Sequence, residues 1–282
     1  MLTTHTTADR LSSTDLLDIW NRGFAGYFVD NTMDEARLAK HLRWSAIDLA
    51  LSPILIVDDE PAGFSLAGVD ERAEGRCAWI GGFGIAPEHR RKGLAGRLMA
   101  EQNRLLDTAG IRETRLEVID VNPARRVYAA AGFREIRRLV SFQGVPSAGA
   151  PNAAAARPRP LADWEDLHAA LRRRAEPTFR RDRPVVRRML ADIPTAELLA
   201  VPADGDVRAL ALAVPGPDRV GLLDARAADT LAAGDLVAGL GAVYPGRPLR
   251  IIDEPEDGPL AKALAEAGLL PFLSQFEMMR TA

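Results

Sequence analysis

The strongest constraint on the fold of this chain is a repeat within it. Arg115-Leu-Glu-Val-Ile-Asp120 resembles Leu249-Arg-Ile-Ile-Asp253, and Tyr128-Ala-Ala-Ala-Gly132-Phe133 resembles Leu264-Ala-Glu-Ala-Gly268-Leu269. In each copy a β-rich segment precedes a helical one that stops at glycine. A strand then follows, over residues 134–142 and 271–279. The simplest reading is two copies of one α/β unit, and 282 residues are enough for two ordinary domains. Between the copies, residues 144–160 carry small side chains and spaced prolines, which build neither a core nor a ladder. The expected division is therefore 1–143, a linker over 144–160, and 161–282.

The first half alternates helices and strands in a mixed α/β pattern. Residues 12–22 and 32–43 predict helices, the second opened by Thr32-Met33-Asp34-Glu35 in the form of a capping box. Residues 54–57, 62–69 and 77–85 predict strands, with Asp58-Asp59-Glu60-Pro61 as the first turn. Leu94, Leu98, Leu105 and Ala109 fall near helical spacing. A strand over 114–119 follows. Asn122-Pro123 predicts a further helix, with Asn as N-cap and Pro at the first position, and Gly132 predicts its left-handed end. A strand over 133–142 closes the half.

Composition removes several function classes. The net charge is −3, and the runs at Arg90-Arg91 and Arg172-Arg173-Arg174 are balanced by acidic residues. No polybasic nucleic-acid surface is expected. The single cysteine, Cys77, can form neither an intramolecular disulfide nor a multi-cysteine metal site. No bound metal is expected. No stretch approaches the ~20 apolar residues of a membrane span. Met1-Leu2-Thr3-Thr4-His5 lacks the pattern of a signal peptide. The expectation is a cytoplasmic monomer or homodimer with no membrane or nucleic-acid partner.

The chemistry concentrates in residues 85–96. A strand ends near Ile85 and a helix starts near Gly93. The first N–H groups of a helix lack internal partners and lie at the positive end of its dipole. Such a junction suits phosphate. Gly93 lets an oxygen approach the main chain, Ala95 and Gly96 are small, and Arg90, Arg91 and Lys92 add positive charge. On these grounds alone the loop could equally be a solvated basic cap. Gly-x-x-x-x-Gly-Lys-Ser/Thr is absent, which argues against a nucleoside-triphosphate loop, and Gly-x-Gly-x-x-Gly is absent in good form.

Arg90-Arg91-Lys92-Gly93-Leu94-Ala95 matches the Arg/Gln-x-x-Gly-x-Gly/Ala signature of the GNAT family, the Gcn5-related N-acetyltransferases. Asn122, Tyr128 and Gly132-Phe133 match the family's second signature. The first half thus resembles a GNAT domain over roughly residues 10–143. The second half resembles a degenerate copy, because the loop does not recur in it, and the layout is similar to tandem GNAT proteins. The resemblance implies a duplicated acyl-CoA N-acyltransferase fold with one acyl-CoA site. It implies that backbone groups of Phe83, Gly84 and Ile85 hold the pantetheine arm and polarise the thioester. The Gly81-Gly82 pair is consistent with a bulge that splays this strand. Arg91, Lys92, Gly93, Leu94, Ala95 and Gly96 would bind the pyrophosphate, and Arg90 would serve the loop as well as the ligand. Asn122 would bond the pantetheine arm or its neighbouring backbone. Tyr128 would be the general acid that protonates the departing thiolate.

The attacking amine must be neutral, which calls for a base. The acidic residue that family members often carry on the fourth strand has no counterpart in residues 77–85. Glu117, on the next strand, is the first candidate, ahead of His89, His41 and Asp120. Cys77 reads as a buried strand residue and not as a nucleophile. The resemblance implies transfer of an acetyl group from acetyl-CoA to a primary amine of an unspecified acceptor. The alternative is a non-catalytic acyl-CoA sensor or interaction module. The family usually has two strands after the second-signature helix, and residues 133–142 have length for one. The other is expected from the second half, or is absent.

Overall fold

The computed structural model describes residues 2–72, 75–147, 156–172, 177–202 and 206–282. The middle of the expected linker, residues 148–155, lies outside the described residues, as do Arg173 and Arg174. The chain forms two compact units, Met1–Ile136 with Glu277–Ala282, and Arg137–Phe276. Among the described residues no helix is long and apolar enough to cross a membrane.

Unit 1 contains β1 (Thr3–Thr7), α1 (Ser13–Gly23), α2 (Glu35–Trp44), β2 (Pro53–Val57), β3 (Glu60–Arg72), β4 (Gly75–Ile85), α3 (Leu94–Thr108), β5 (Glu113–Ile119) and α4 (Arg125–Ala130), and it starts β6 (Arg134–Gly144). The strands lie in the order β1-β2-β3-β4-β5. β1 to β4 pair antiparallel, and β4 pairs β5 in parallel. Alternation along β2 explains the two layers of core. Ile54 packs with Leu16, Ile19, Trp20, Phe64 and Leu66, under α1. Its neighbour Leu55 packs with Val57, Ile85, Leu94 and Leu98, under α3.

The helix starts differ in detail from the sequence reading. Ser12 caps α1 by accepting from Asp15 N–H at 3.1 Å. The cap of α2 is Asp34, which accepts from Arg37 N–H at 2.7 Å, and not Thr32. Thr32 offers its carbonyl to the Arg37 side chain. α4 begins at Arg125 and not at Pro123, because Asn122 to Ala124 form a tighter turn. Gly132 does end this helix in the left-handed region, at φ 92°.

Unit 2 repeats the element order. It completes β6 and adds β7 (Arg157–Arg159), α5 (Trp164–Arg172), α6 (Arg183–Leu190), β8 (Glu197–Val201), β9 (Ala209–Pro215), β10 (Val220–Ala227), α7 (Thr230–Val243), β11 (Leu249–Pro255), α8 (Pro259–Glu266) and most of β12 (Leu270–Thr281). Among the described residues, β7 through β12 and their helices follow the same succession as β1 through β6. Leu198, Leu210 and Leu212 pack with Trp164 and Val186, while Leu199, Ala211 and Ala213 pack with Leu236, Leu240 and Leu264.

The unit boundaries fall elsewhere than at 143 and 161, and the reason is strand pairing. β6 pairs antiparallel with β11 inside unit 2, Gly144 opposite Leu249. The far end of the linker segment is a strand, with Arg157 opposite Ala200 of β8. Unit 1 in turn includes the end of β12. Ala282 N–H donates to Arg112 O at 2.8 Å, Arg280 makes two bonds to Asp107 at 2.8 and 2.7 Å, and Glu277 pairs with Arg115 of β5 at 3.4 Å. The additional strand segment of unit 1 therefore comes from the C-terminus of the chain.

Candidate functional site

The site begins with a defect in the β-sheet of unit 1. β4 and β5 pair in parallel from Cys77/Glu113 to Trp79/Arg115. On the other side of β4 the register shifts between Leu66 and Ala67, so that Gly81 is an extra residue opposite β3. This is the bulge that Gly81-Gly82 suggested, and β4 parts from β5 there. Ala86 N–H donates to Ala62 O at 2.9 Å, which makes Ala62/Ala86 a hydrogen-bonded pair. By the alternation of an antiparallel ladder, Phe64/Gly84 and Leu66/Gly82 are such pairs too. Phe83 and Ile85 therefore turn their backbone groups to the open edge, where the Ile85 carbonyl accepts from Arg90 Nε at 2.9 Å. Gly84 does not. A Cβ there would stand 2.8 Å from the Phe64 ring and 3.0 Å from the Gly23 backbone. Gly84 thus packs against α1, and its backbone groups face β3 and not the open edge.

The loop after β4 presents backbone amides. Pro87–His89 forms a helical turn, Arg91 adopts φ 61°, and Gly93 adopts φ 74° as the N-cap of α3. No side chain caps α3. Its first N–H groups therefore have no partner from their own capping position, and a Cβ on Gly93 or Gly96 would meet nothing within 4 Å. Arg91, Lys92, Gly93 and Gly96 are exposed, Ala95 is half-buried, and the Leu94 side chain is buried in the core so that only its backbone faces the loop.

Arg90 has a different place from its neighbours. Its Nε bonds the Ile85 carbonyl, and its Nη2 bonds the carbonyls of Gly23 at 3.1 Å and Ala25 at 2.8 Å. This guanidinium ties the loop to the end of α1. Arg22 adds a second tie through Glu88 at 2.6 Å.

Tyr128 is 7% exposed, edge-on to Phe83 with ring centroids 5.6 Å apart, and next to Phe133 at 6.2 Å. Burial pushes its phenol well above the usual value, with the nearby Tyr27 phenol acting in the same direction. Asn122 Oδ1 accepts from Ala124 N–H at 2.9 Å, and its Nδ2 donates to the Tyr27 hydroxyl at 3.3 Å. The amide thus joins the α1–α2 loop to the β5–α4 turn. Tyr27 was not legible in the sequence, because it sits in a loop without periodicity. Glu117 on β5 accepts from Trp79 Nε1 on β4 at 2.5 Å, just where the two strands begin to separate. His41 lies against the Trp79 ring, centroids 6.2 Å apart, and His89 lies in the loop beside Glu88. Asp120 offers its carbonyl to Arg125 at 3.0 Å. Cys77 is buried, and burial pushes its thiol up to about 12.

Residues 14–133 match the family model of the acetyltransferase (GNAT) family. This segment is a GNAT domain. Among curated proteins none matches the chain. Among solved structures, a putative acetyltransferase from Pyrococcus horikoshii is similar over 100% of this chain and 89% of its own, at 16% identity and a TM-score of 0.64. A GCN5-related N-acetyltransferase from Sphaerobacter thermophilus is similar over 99% and 95%, at 14% identity and a TM-score of 0.65. A tandem GNAT protein from the clavulanic acid biosynthesis pathway is similar over 99% and 98%, at 13% identity and a TM-score of 0.64. At such identities the likeness is one of fold, and it extends across both units.

Unit 2 keeps the GNAT element order and fills the corresponding places with its own side chains. β10 also carries a register shift, between Leu222 and Asp224, and its parallel pairing to β11 runs from Val220 to Leu222. Arg181 bridges the two strands beyond that point. It bonds the Ala225 carbonyl on β10, and on β11 the Glu254 carboxylate at 2.5 Å and the Asp253 carbonyl at 3.4 Å. After β10 only Ala228 and Asp229 precede α7. Asp229 caps that helix by accepting from Ala232 N–H at 3.0 Å, and Arg208 pairs with the same carboxylate.

Proposed function

We propose that the GNAT domain transfers an acetyl group from acetyl-CoA to a primary amine by direct attack. The observation that carries this reading is the uncapped, glycine-lined start of α3 beside the open edge of β4. Family membership supports acyl transfer as the class of chemistry. The N–H groups from Arg91 to Gly96 would hold the pyrophosphate. The open edge at Phe83 and Ile85 would take the pantetheine arm as an added strand. An N–H there would donate to the thioester oxygen as charge develops on it, an effect worth roughly 10²–10³ in rate.

Tyr128 stands next to Phe83, and its phenol carries a proton across the physiological range, as an ordinary phenol does. It would hand its proton to the departing thiolate. Glu117, held by Trp79, would take the proton of the attacking amine, directly or through water. The proton lost by nitrogen and the proton gained by sulfur balance the reaction. Arg90 and Asn122 would shape the site by holding the loop and the β5–α4 turn.

Calorimetry with acetyl-CoA and thiol release against a set of amines test this reading. Binding together with amine-dependent release supports it. Binding without release would leave the chain an acyl-CoA sensor, and no binding at millimolar ligand would overturn both readings.

A further inference from the structure

The two loops joined by Tyr27 and Asn122 carry apolar side chains out into solvent. Phe28 is 53% exposed and Val29 38% exposed on the α1–α2 loop, and Val121 is 68% exposed on the β5–α4 turn. Phe28 adjoins Tyr27, with ring centroids 5.4 Å apart, Val29 follows it, and Val121 adjoins Asn122, so the Tyr27–Asn122 hydrogen bond links the two loops that carry them. Single exposed apolar residues are ordinary, but a group of them around a reactive centre marks a binding surface. Asp30 follows directly. It is exposed, and the Thr32 N–H that it accepts at 2.9 Å holds its carboxyl below the usual range. The rim thus combines apolar surface with a carboxylate, and Arg37, which bonds the Thr32 carbonyl at 2.7 Å, acts on that carboxylate from the α2 side. The rim suits a cation on an apolar body and is poorly matched to polyanionic coenzyme A.

We propose that the acceptor is a primary amine carried on an apolar body, which covers Phe28, Val29 and Val121 while its ammonium group approaches past Asp30. This rests on the acyl-transfer reading above and narrows it to a substrate class. The Tyr27–Asn122 bond keeps the two halves of the rim together, so the rim is assembled before the amine arrives. Polar amines of similar basicity lack the part that the rim takes up.

The test is thiol release from acetyl-CoA with hexylamine and with ethanolamine, on the whole chain. The expected KM for hexylamine is at least about tenfold lower, the scale at which apolar contacts discriminate between substrates. Replacing Phe28→Ser and Val121→Ser together raises the hexylamine KM about tenfold and leaves the acetyl-CoA KM unchanged. Equal KM values for the two amines would overturn the inference. So would a parallel rise in the acetyl-CoA KM, which would make the rim a structural part of the coenzyme site. A preference for octanoyl-CoA over acetyl-CoA that the double substitution abolishes would assign the rim to the acyl chain and also overturn it. Failure of every amine to release thiol refutes acyl transfer itself. Calorimetric titration of hexylamine into the CoA complex then still reads the rim, where saturable binding supports the surface and none refutes it.

Discussion

Gly96 gives the cleanest test of the anion cradle. It is the third residue of α3, its φ is not in the left-handed region, and a Cβ added to it meets nothing within 4 Å. The fold therefore has room for a larger side chain. Replacing glycine in a helix favours folding by up to roughly 0.5–1 kcal/mol, so Gly96→Leu should keep or raise the melting temperature. The same open space is where the pyrophosphate would approach the first N–H groups. Displacing it by one side chain removes at least one hydrogen bond to a charged group, about 1.5–3 kcal/mol. That predicts an acetyl-CoA Kd roughly 10- to 100-fold weaker, read by calorimetry. Gly93→Leu would be a poorer probe, since φ 74° adds strain of about 1–2 kcal/mol to any effect on binding. Acetyl-pantetheine, which lacks the phosphates, provides the control, and its affinity should not change. Gly96→Leu with wild-type affinity for acetyl-CoA would refute the placement of the phosphates at α3. Equal losses for both ligands would show that the substitution disturbs β4 instead.

Other consequences are as direct. Tyr128→Phe should lower turnover by about 10²–10⁴ with little change in acetyl-CoA affinity, and equal loss of both would remove its role as acid. Cys77, with its thiol raised from 9.0 to about 12, should hold about a thousandfold less thiolate than an unfolded cysteine near pH 8. A disulfide reagent should therefore label it only after denaturation, and rapid labelling of native protein would contradict its burial. Glu277→Ala leaves the buried Arg115 with Glu113 but without its C-terminal partner. It should cost about 3 kcal/mol in urea unfolding, and an unchanged midpoint would show that the C-terminal segment does not hold unit 1 together. Calorimetry should count one acetyl-CoA per chain, and two would mean that the second unit binds it as well.

Much of unit 1 can be read from its residues because local chemistry and global fold agree there. Gly81-Gly82 signals a bulge, Gly93 the start of a helix, and Asn122 to Gly132 a short helix with a left-handed end. The parts that escape are those with no local signature. β1, Thr3-Thr-His-Thr-Thr7, lacks apolar alternation and becomes a strand through pairing with β2. The residues that complete unit 1 lie 160 or more positions from their partners, and no local pattern names such a partner. Gly84 looks like part of a ligand-binding strand, yet the ladder turns its amide toward β3. Tyr27 reaches the site through the side chain of Asn122.

The two units show what separates a coenzyme site from its fold. Both have a strand that parts from its parallel neighbour and a helix that follows. In unit 1 eight residues, 86–93, connect them, and α3 starts without a side-chain cap. In unit 2 two residues connect them, and Asp229 supplies the negative charge at the start of α7. A helix start already satisfied by a carboxylate has little to offer a phosphate. The gap between β10 and β11 is likewise closed, because Arg181 holds groups on both strands. Removing Asp229 alone would expose N–H groups but would create neither the loop nor an open strand edge. The inference that one chain carries one acyl-CoA site thus rests on three independent replacements, of the loop, the helix cap and the strand edge. The lack of a sequence signature in the second half is the visible trace of the first.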